Sequence, residues 1–378
     1  MSQQPPRIAL VWAQFGAYHV DRCEAVGQHL GGEADVLAVE VASRSRYYLW
    51  EPSGDVQCAR KVTLFPDGCY EDIPVTRRAR ALFSVLRRCD IAYFGIGYNE
   101  LYVILVAWLL RLMGKRVVMM TDSKFEDMPR SVWFEMFKSA VLFVFQGAIV
   151  AGHRQESYLR FLGFRKRPIM LGYDVVSGER LARQALANRP SVSIADEDRP
   201  FICVARMVPK KNLFTLLDAY AAYRDMVGIR ARRLLLVGSG PLESDLCRRM
   251  AELGIADMID MPGFLASGAV AGLVSGALAL ILISTEEQWG LVVNEAVLLG
   301  LPVIVSEQVG ACDLLVRNMV NGFVVSSDCA QAVAMAMERL SLDSALRETM
   351  SANSKRIGFL ADTHQFAVST QKMTTMLI

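Results

Sequence analysis

The sequence predicts an α/β protein built from two doubly wound domains, and three observations support this fold class. The chain has 378 residues, more than the roughly 250–300 that one hydrophobic core accommodates, so two domains are expected. Hydrophobic residues make up 53% and charged residues 21%, a composition typical of a folded protein. Short apolar runs alternate with segments of helical length, which is the pattern of βαβ units around a parallel sheet.

The first half begins with the apolar run 7–12, followed by a glycine-containing turn and a helical stretch that ends near residue 30. Further strands are predicted where short apolar runs are bounded by polar or glycine residues, at 35–41, 91–94, 116–121 and 148–150. Helices are predicted between them at 76–89 and 99–113. This alternation predicts an N-terminal Rossmann-like domain over residues 1–175.

The polar stretch 177–198 separates the two halves and is interpreted as a linker. The second half repeats the alternation, with strands predicted at 201–205, 233–237, 258–261, 278–283, 302–306 and 323–325. Helices are predicted between them at 212–226, 242–253, 292–300 and 330–340. A second Rossmann-like domain is therefore expected over residues 176–355. A C-terminal helix is expected over 356–378, and one arrangement for it is to pack back on the N-terminal domain.

Bulk composition disfavours several classes of protein. The formal net charge is +2 without a basic block, which gives no support to nucleic-acid binding. Mean hydropathy is +0.27, but the apolar runs 101–110 and 140–152 are shorter than the roughly 18 residues of a spanning helix. The run 8–13 is too short for a signal peptide. We therefore expect a cytoplasmic protein, with peripheral contact with a membrane surface as an alternative.

Metal binding is not expected. The eight cysteines and four histidines lack the spacing of a zinc site or of a disulfide framework. The run Asp196-Glu-Asp198 imitates a metal-binding DxD motif, but it precedes a predicted strand instead of following one. It is therefore interpreted as a solvated part of the linker.

The loop after the predicted strand 201–205 carries candidate anion ligands. Arg206 and Lys211 lie five positions apart, directly before a predicted helix. Two cationic side chains beside a helix N-terminus can bind an anion. Solvated surface charge is an equally supported alternative for this loop alone, and Lys210 is assigned to that class.

Two further loops of the second half contain candidate ligand contacts. After the strand 233–237, Gly238-Ser-Gly-Pro241 would let the backbone approach a ligand at Gly240. The dinucleotide fingerprint GxGxxG is absent because position 243 is Glu, which disfavours a dehydrogenase. After the strand 278–283, Glu287 and Glu295 lie eight residues apart around Trp289 and Gly290. Gly290 would open a helix whose first N–H groups and dipole hold a diphosphate.

Residues 201–325 resemble the donor domain of the retaining family-4 glycosyltransferases, which belong to glycosyltransferase group 1 and have the GT-B fold. The resemblance rests on six motifs in order: Arg206 with Lys211, Gly238-Ser-Gly-Pro241, Pro262-Gly-Phe264, Glu287 with Glu295, Gly300-Leu-Pro-Val-Ile304 and Asn321-Gly-Phe323. It implies two Rossmann-like, doubly wound domains that face each other across a cleft. The domain over residues 1–175 would bind the acceptor, and the domain over 176–355 would bind the nucleotide-sugar donor. It also implies a metal-independent enzyme with no cofactor, for which a nucleoside diphosphate sugar is the co-substrate.

The resemblance implies a role for each matching residue of the donor domain. Glu295 would bind the donor ribose, Glu287 would lie beside the transferred sugar, and Phe264 would lie at the nucleobase. Arg206 and Lys211 would neutralise the leaving diphosphate. The backbone N–H groups that would help them are those of Leu291 and Val292.

The N-terminal half matches the family more weakly. Gly16, after the first strand, would let the opposite domain close over the phosphates. Many relatives carry a histidine after an N-domain strand, but the comparable loop here reads Thr121-Asp-Ser-Lys-Phe-Glu-Asp127. Asp122 is the candidate to replace that histidine, and a site that works differently is the alternative.

The predicted activity is hexosyl transfer, with retention, from a nucleoside diphosphate sugar to an acceptor hydroxyl of a glycan, a lipid-linked acceptor or a small molecule. A uridine nucleotide is favoured. The alternatives are a catalytically silent nucleotide-sugar-binding subunit and a nucleotide-sugar epimerase or phosphorylase on the same scaffold.

Finally, the apolar stripe at Phe134, Phe137, Val141, Leu142 and Phe145, with Lys138 opposite, predicts a core helix face. The alternative is a face that docks on a bilayer.

Overall fold

The computed structural model describes residues 5–46, 54–188 and 195–378. The chain divides into two compact units, one formed by Met1–Ser177 with Thr363–Ile378 and the other by Gly178–Asp362. Both boundaries lie slightly later in the chain than the positions 175/176 and 355/356 expected from the sequence. The linker assigned to 177–198 includes residues 189–194, which lie outside the described residues.

The strands of the first unit are β1 Arg7–Trp12, β2 Asp35–Arg44, β3 Arg60–Cys69, β4 Ile91–Phe94, β5 Arg116–Thr121, β6 Gly147–Val150 and β7 Ile169–Leu171. Those of the second unit are β8 Phe201–Val204, β9 Leu234–Val237, β10 Ile259–Gly263, β11 Ala279–Leu282, β12 Val303–Ser306 and β13 Gly322–Val325. All of the paired neighbours in both sheets run parallel.

The helices, in chain order, are α1 Ala17–Leu30, α2 Val75–Leu86, α3 Leu101–Leu112, α4 Val132–Val141, α5 His153–Phe161, α6 Gly178–Ala187, α7 Leu213–Val227, α8 Glu243–Glu252, α9 Ser267–Gly276, α10 Leu291–Leu298, α11 Cys312–Leu315, α12 Ala330–Leu342, α13 Ser344–Ile357 and α14 Thr363–Leu377. None of the helices in the described part of the chain is long and apolar enough to span a membrane.

The first unit is a doubly wound sheet with the strand order β3-β2-β1-β4-β5-β6-β7. Alternate side chains of each strand point to opposite faces, so Ile8 and Leu10 join one core while Ala9 and Val11 join the other. One core is covered by α1 and by the C-terminal helix α14. The other core is covered by α2, α3 and α5.

The second unit is built in the same way, with the strand order β10-β9-β8-β11-β12-β13. Apart from the edge strand β10, its strands are nearly continuous buried apolar runs, as parallel strands covered on both faces require. All six of its sequence-predicted strands are present within one to two residues at each end. The predicted Rossmann-like α/β class is therefore confirmed for both units.

Two edge strands and one helix are among the elements that were not predicted. The edge strands β3 and β7 were not predicted, because the exposed or half-buried residues of β3 do not form an apolar run and β7 is only three residues long. Helix α6 lies in the segment interpreted as linker, so that interpretation is wrong for 178–187. Only a narrow stripe of α6, Leu181 and Ala185, is buried, against Ala271 of α9, which is why its composition looked polar.

The prediction that the α4 stripe is core is wrong for Phe134 and Phe137, which are exposed, and holds for Leu142 and Phe145, which follow the helix and are buried. The buried side chains of α4 are instead Glu135 and Lys138. Charged residues can occupy this inner face because they are paired with each other.

The interpretation of Asp196 as solvated linker is also incomplete. Its carboxylate accepts a hydrogen bond from Arg347 and lies 3.8 Å from a guanidinium nitrogen of Arg232. These contacts fasten the segment before β8 to α13 within the second unit.

Candidate active site

In the second unit the order in which the chain adds strands to the sheet reverses at one point, between β8 and β11. From β8 the chain continues outward through β9 and β10, whereas β11, the other neighbour of β8, begins the series that continues through β12 and β13. In open parallel sheets a crevice forms at this switch point, outside the carboxyl ends of the two strands. The loops that follow β8 and β11 are the ones that carry Arg206, Lys211 and Glu287.

Lys211 and Glu287, two candidate catalytic residues that lie far apart in sequence, are in direct contact. The Nζ atom of Lys211 donates a hydrogen bond to Oε2 of Glu287, and the two side chains are only 13% and 14% exposed. The Ser284 hydroxyl donates to the same carboxylate oxygen over 3.2 Å. The backbone N–H of Thr285 donates to the carbonyl of Lys210 over 2.9 Å. The two loops are therefore joined by both side chains and backbone.

The other cations of this loop are placed differently. Arg206 is exposed and has no ion-pair partner among the described residues. The Nζ atom of Lys210 lies 3.9 Å from the carboxylate of Glu286, at a position where these side chains are 38% and 49% exposed. Arg206 is thus available to an anionic ligand, while the contact of Lys210 is a surface ion pair of small energetic value.

The glycines after β9 allow two loops to pack closely. Gly240 has φ +159°, and a Cβ atom built there would lie 2.5 Å from the carbonyl oxygen of Met207. The N–H of Met207 donates to the carbonyl of Ser239 over 2.9 Å. The absence of a side chain at Gly240, a candidate donor-binding residue, therefore lets its loop pack against the Arg206–Lys211 loop.

Helix α10 begins beside the Lys211–Glu287 pair. Gly290 is its N-cap residue and has φ +98°, in the left-handed region that favours glycine. The first N–H groups of a helix have no acceptor within the helix, and here Leu291 and Val292, both half-buried, supply them. Glu295 lies one turn further along and is buried. The helix thus places N–H donors and a carboxylate near one end of the site.

A third loop, which follows β12 and contains Gly310, holds the Glu287 segment. A Cβ atom at Gly310, after β12, would lie 1.8 Å from the carbonyl oxygen of Gln288. The N–H of Gly310 donates to the carbonyl of Glu287 over 3.2 Å, and that of Ala311 donates to the carbonyl of Trp289 over 2.9 Å. The Gly310 loop therefore fixes the approach to α10.

Trp289 is buried beneath this loop. Its indole Nε1 donates to Oδ1 of Asn294 over 2.8 Å, and Nδ2 of Asn294 donates to the carbonyl of Ala361 over 3.3 Å. Phe264 follows β10 directly and, unlike Trp289, is 77% exposed. Because β9 lies between β8 and β10, Phe264 is two strands, about 10 Å, from the switch point.

The first unit has its own switch point between β1 and β4. Gly16 follows β1 as the N-cap residue of α1, and its N–H donates to Nδ1 of His19 over 2.9 Å. The adjacent N–H of Phe15 donates to the carboxylate of Glu40 over 3.0 Å. The Gly16 turn is therefore held by side chains on both sides.

Asp122 follows β5 in a group of charged residues in the first unit. Burial, together with the neighbouring carboxylate of Asp174, raises the pKa of Asp122 to about 7. Burial also raises the pKa of Asp174, although this carboxylate accepts a hydrogen bond from Arg22 over 2.9 Å. The side-chain Nε2 of Gln155 donates to the backbone carbonyl of Asp122 over 3.2 Å. Asp174 and Arg22 were missed by sequence reasoning because Asp174 follows β7, the short strand that the sequence did not reveal.

Within the described residues, no group of three or more His, Cys, Asp or Glu side chains could hold a metal ion. The candidate residues instead supply cationic side chains and backbone N–H groups at the switch point of the second unit. Arg206, Lys211 and the first turn of α10 form an arrangement that can bind a diphosphate.

Comparison with known proteins finds similarity to glycosyltransferases over part of the chain. Residues 185–357, just under half of the chain, match the model of the family described as glycosyl transferases group 1. The chain is 31% identical over 172 residues to a D-inositol 3-phosphate glycosyltransferase of Actinosynnema mirum, a match that covers 44% of this chain and 41% of the relative. It is 29% identical over 170 residues to a GDP-mannose-dependent alpha-(1-6)-phosphatidylinositol monomannoside mannosyltransferase of Mycobacterium tuberculosis, covering 43% of this chain and 40% of the relative. The matched region thus spans less than half the length of these relatives.

Similarity in structure extends over nearly the whole chain. The crystal structure of Anabaena Alr3699/HepE in complex with UDP and glucose aligns with a TM-score of 0.72 at 16% identity, covering 98% of this chain and all of that chain. Identity this low shows the fold alone. The fold is that expected from the sequence, the two parallel-sheet Rossmann-like domains found in GT-B glycosyltransferases.

Proposed function

We propose that this chain is a retaining glycosyltransferase that transfers a hexosyl group from a nucleoside diphosphate sugar to an acceptor hydroxyl. The observation that carries the proposal is the Lys211–Glu287 pair, which lies beside the N-terminus of α10 at the switch point of the second unit. The family match covers this unit. We further propose that the enzyme is cytoplasmic and needs neither a metal ion nor a cofactor.

In this proposal the second unit binds the donor. Arg206, Lys211 and the N–H groups of Leu291 and Val292 bind the diphosphate, since cations and a helix N-terminus both favour negative charge. Glu295 accepts hydrogen bonds from the ribose hydroxyls. The exposed ring of Phe264, about 10 Å from the switch point, contacts the nucleobase.

Transfer begins when the bond between the anomeric carbon and the diphosphate oxygen breaks and its electron pair stays on that oxygen. Lys211 and Arg206 stabilise the charge that develops there, and preorganised charge of this kind is the main catalytic contribution. Glu287 orients the Lys211 ammonium and lies beside the sugar. The acceptor hydroxyl oxygen then bonds to the same face of the anomeric carbon, and its proton passes to a phosphate oxygen of the leaving group.

The first unit is proposed to bind the acceptor. Gly16 provides a turn that can approach the donor phosphates. Asp122 replaces the histidine of the relatives, and its raised pKa of about 7 leaves a large protonated fraction at neutral pH. A protonated carboxyl can donate a hydrogen bond to a sugar oxygen, as a neutral imidazole does. The acceptor classes considered are a glycan, a lipid-linked acceptor and a small molecule.

Ligand-induced thermal stabilisation tests the donor class. UDP, GDP and ADP would each be added to the full chain, and we expect UDP to give the largest stabilisation because UDP occupies the similar Anabaena structure. A nucleotide at 100 times its dissociation constant stabilises by about 2.7 kcal/mol. A larger effect of GDP would move the donor to a guanosine nucleotide, which the mycobacterial relative uses. No effect of any nucleotide would refute donor binding.

Product analysis by mass spectrometry tests the reaction. Glycosyl transfer requires free nucleoside diphosphate and a glycosylated acceptor with the donor's anomeric configuration. Donor binding without turnover in acceptor extracts would support a silent binding subunit. An isomerised nucleotide sugar would indicate an epimerase, and a sugar phosphate formed from inorganic phosphate would indicate a phosphorylase.

Chelation tests the proposed metal independence. Because Arg206, Lys211 and α10 supply the positive charge at the diphosphate, we expect full activity after dialysis against EDTA. The rate of nucleoside diphosphate release is measured before and after dialysis. Loss of activity that Mg²⁺ or Mn²⁺ restores would contradict the proposed mechanism.

A further inference from the structure

Helix α4 of the first unit presents its apolar side chains to solvent. Val132, Trp133, Phe134, Met136 and Phe137 are 53–79% exposed. Surface helices normally bury such residues and expose their charges. In α4 the pattern is inverted, so the exposed apolar face requires an explanation other than ordinary amphipathic packing.

The inner side of α4 shows that the inversion is built into the fold. Lys138 Nζ donates to Glu135 Oε1 over 3.0 Å and to the Tyr158 hydroxyl over 2.9 Å. The Tyr158 hydroxyl donates to Glu135 Oε2 over 2.6 Å and accepts a hydrogen bond from Arg130 over 2.9 Å. Because the buried charges are paired and hydrogen-bonded, the helix is held with its aromatic residues facing outward.

The exposed apolar face continues beyond α4. Phe125 and Phe161 are exposed and in edge contact, with ring centroids 5.8 Å apart. Phe143 is exposed in the short segment that connects α4 to β6, and α3 packs against this segment. Along α3 the exposed apolar side chains are spaced at helical intervals, at Leu101, Leu105, Trp108, Leu109 and Leu112. We call the exposed residues of α3, α4, Phe125, Phe143 and Phe161 the apolar face.

Positive charge borders the apolar face. Arg165 and Lys166, four and five residues after Phe161, are exposed and have no ion-pair partner among the described residues. The guanidinium of Arg167 lies 5.8 Å from the centre of the Phe143 ring. The sequence contains no Asp or Glu from residue 157 to residue 173. An apolar surface with a basic border is complementary to an anionic lipid bilayer.

We propose that the apolar face docks this protein on the surface of a bilayer that contains anionic lipids. The aromatic and aliphatic side chains of α4 enter the headgroup and acyl boundary, and Arg165 and Lys166 contact the headgroup phosphates. A symmetric contact between two copies would use the same patch on both chains and would bring the two basic borders together, so a second copy is disfavoured. The proposal is independent of the glycosyltransferase activity.

Cosedimentation of the full chain with vesicles tests the proposal without any donor or acceptor. We expect binding to vesicles of phosphatidylcholine with phosphatidylglycerol, weaker binding to phosphatidylcholine alone, and a decrease as salt is raised. The double variant Trp133→Ser/Phe134→Ser should bind roughly a hundredfold more weakly, because each aromatic side chain contributes at least about tenfold. Phe359→Ser, at an exposed phenylalanine of the second unit, is the matched control and should bind normally.

A second pair of variants tests the charge. Arg165→Gln/Lys166→Gln should weaken binding to the anionic vesicles by roughly 25-fold, about fivefold for each basic residue. Arg230→Gln/Arg356→Gln, at exposed positions of the second unit, is the control with the same change in net charge. Circular dichroism establishes that all of the variants fold.

Three results would overturn the proposal. In one, the wild-type chain binds neither the anionic vesicles nor those of phosphatidylcholine alone. Another is equal loss of binding in the control and the test variants. The third is a wild-type dimer, detected by size-exclusion chromatography with light scattering, that Trp133→Ser/Phe134→Ser converts to a monomer, because the apolar face would then be an interface between copies of this chain.

Discussion

For the Lys211–Glu287 pair, the effects of substitution on stability and on kcat can be predicted separately. Lys211→Ala would leave the Glu287 carboxylate, only 14% exposed, without its cation. Removing one partner of a fully buried pair costs about 3–5 kcal/mol, and leaving a buried polar group unsatisfied costs about 1–3 kcal/mol. Because Ser284 still donates to Glu287, we expect the lower range, about 1–3 kcal/mol.

Lys210→Ala is the matched control because it removes the adjacent lysine of the same loop. Its ion pair with Glu286 spans 3.9 Å between side chains that are 38% and 49% exposed. Exposed pairs of this kind contribute less than about 1 kcal/mol. For a domain of this size each kcal/mol shifts the melting temperature by about 2–4 °C, so thermal unfolding distinguishes the two variants.

We expect the fall in kcat of Lys211→Ala to be larger than its loss of folding stability can explain. Losing one group that stabilises developing charge typically lowers kcat by about 10²–10³-fold, and we expect this of Lys211→Ala, with Lys210→Ala near wild type. The double variant Lys211→Ala/Glu287→Gln should regain stability, since no unpaired carboxylate remains, but should not regain kcat. Steady-state kinetics of nucleoside diphosphate release and thermal unfolding are measured on all of these variants.

The opposite ranking would refute this reasoning. If Lys210→Ala is the inactive variant, or if Lys211→Ala turns over normally, the diphosphate does not lie at Lys211. If the double variant recovers kcat together with its stability, Lys211 acts only by neutralising Glu287 in the folded protein.

Three further predictions concern other parts of the two units. Glu295→Ala should mainly raise the donor KM and leave kcat nearly unchanged, because ribose contacts are the same in the ground and transition states; an equal fall in kcat and kcat/KM would contradict this. Gly240→Ala should destabilise the second unit and lower activity, because the new Cβ would lie 2.5 Å from the Met207 carbonyl oxygen; Gly254→Ala, at a positive φ with no atom near the Cβ position, is the control for backbone strain, and equal losses would exclude the steric cause. Asp122→Asn should change the pH dependence of stability. The raised pKa of about 7 means that the folded state binds a proton that the unfolded state loses near pH 4, so the contribution of Asp122 to stability falls from about pH 4 to pH 7. Melting temperatures across this range should decline less steeply for Asp122→Asn than for the wild type or for Asp225→Asn at an exposed position, and identical slopes would exclude Asp122 as the titrating group.

The sequence by itself determined the α/β class and the strands of the second unit. Strands such as β11 and β12 are buried on both faces, so their residues form apolar runs that can be recognised without neighbours. Loops at the carboxyl ends of parallel strands share one edge of the sheet. This rule placed Arg206, Lys211 and Glu287 on the same edge of the second unit, as the structure has them.

The tertiary structure alone decided which of these residues touch. Lys210 and Lys211 are indistinguishable by composition, yet only Lys211 reaches Glu287, because the hydrogen bond from Thr285 to the Lys210 carbonyl fixes the register of the two loops. The same applies to Gly310, whose closeness to Gln288 depends on the pairing of β11 with β12.

In the first unit the sequence was less informative, since its edge strands and its helix α4 are shaped by long-range contacts. Asp174 follows a three-residue strand without a distinct pattern, and its proximity to Asp122 exists only once β5, β6 and β7 are paired. The orientation of α4 depends on Tyr158 of another helix, whose hydroxyl satisfies both Glu135 and Lys138. Helical periodicity identifies the two faces of a helix, but the partners of its polar side chains decide which face is buried.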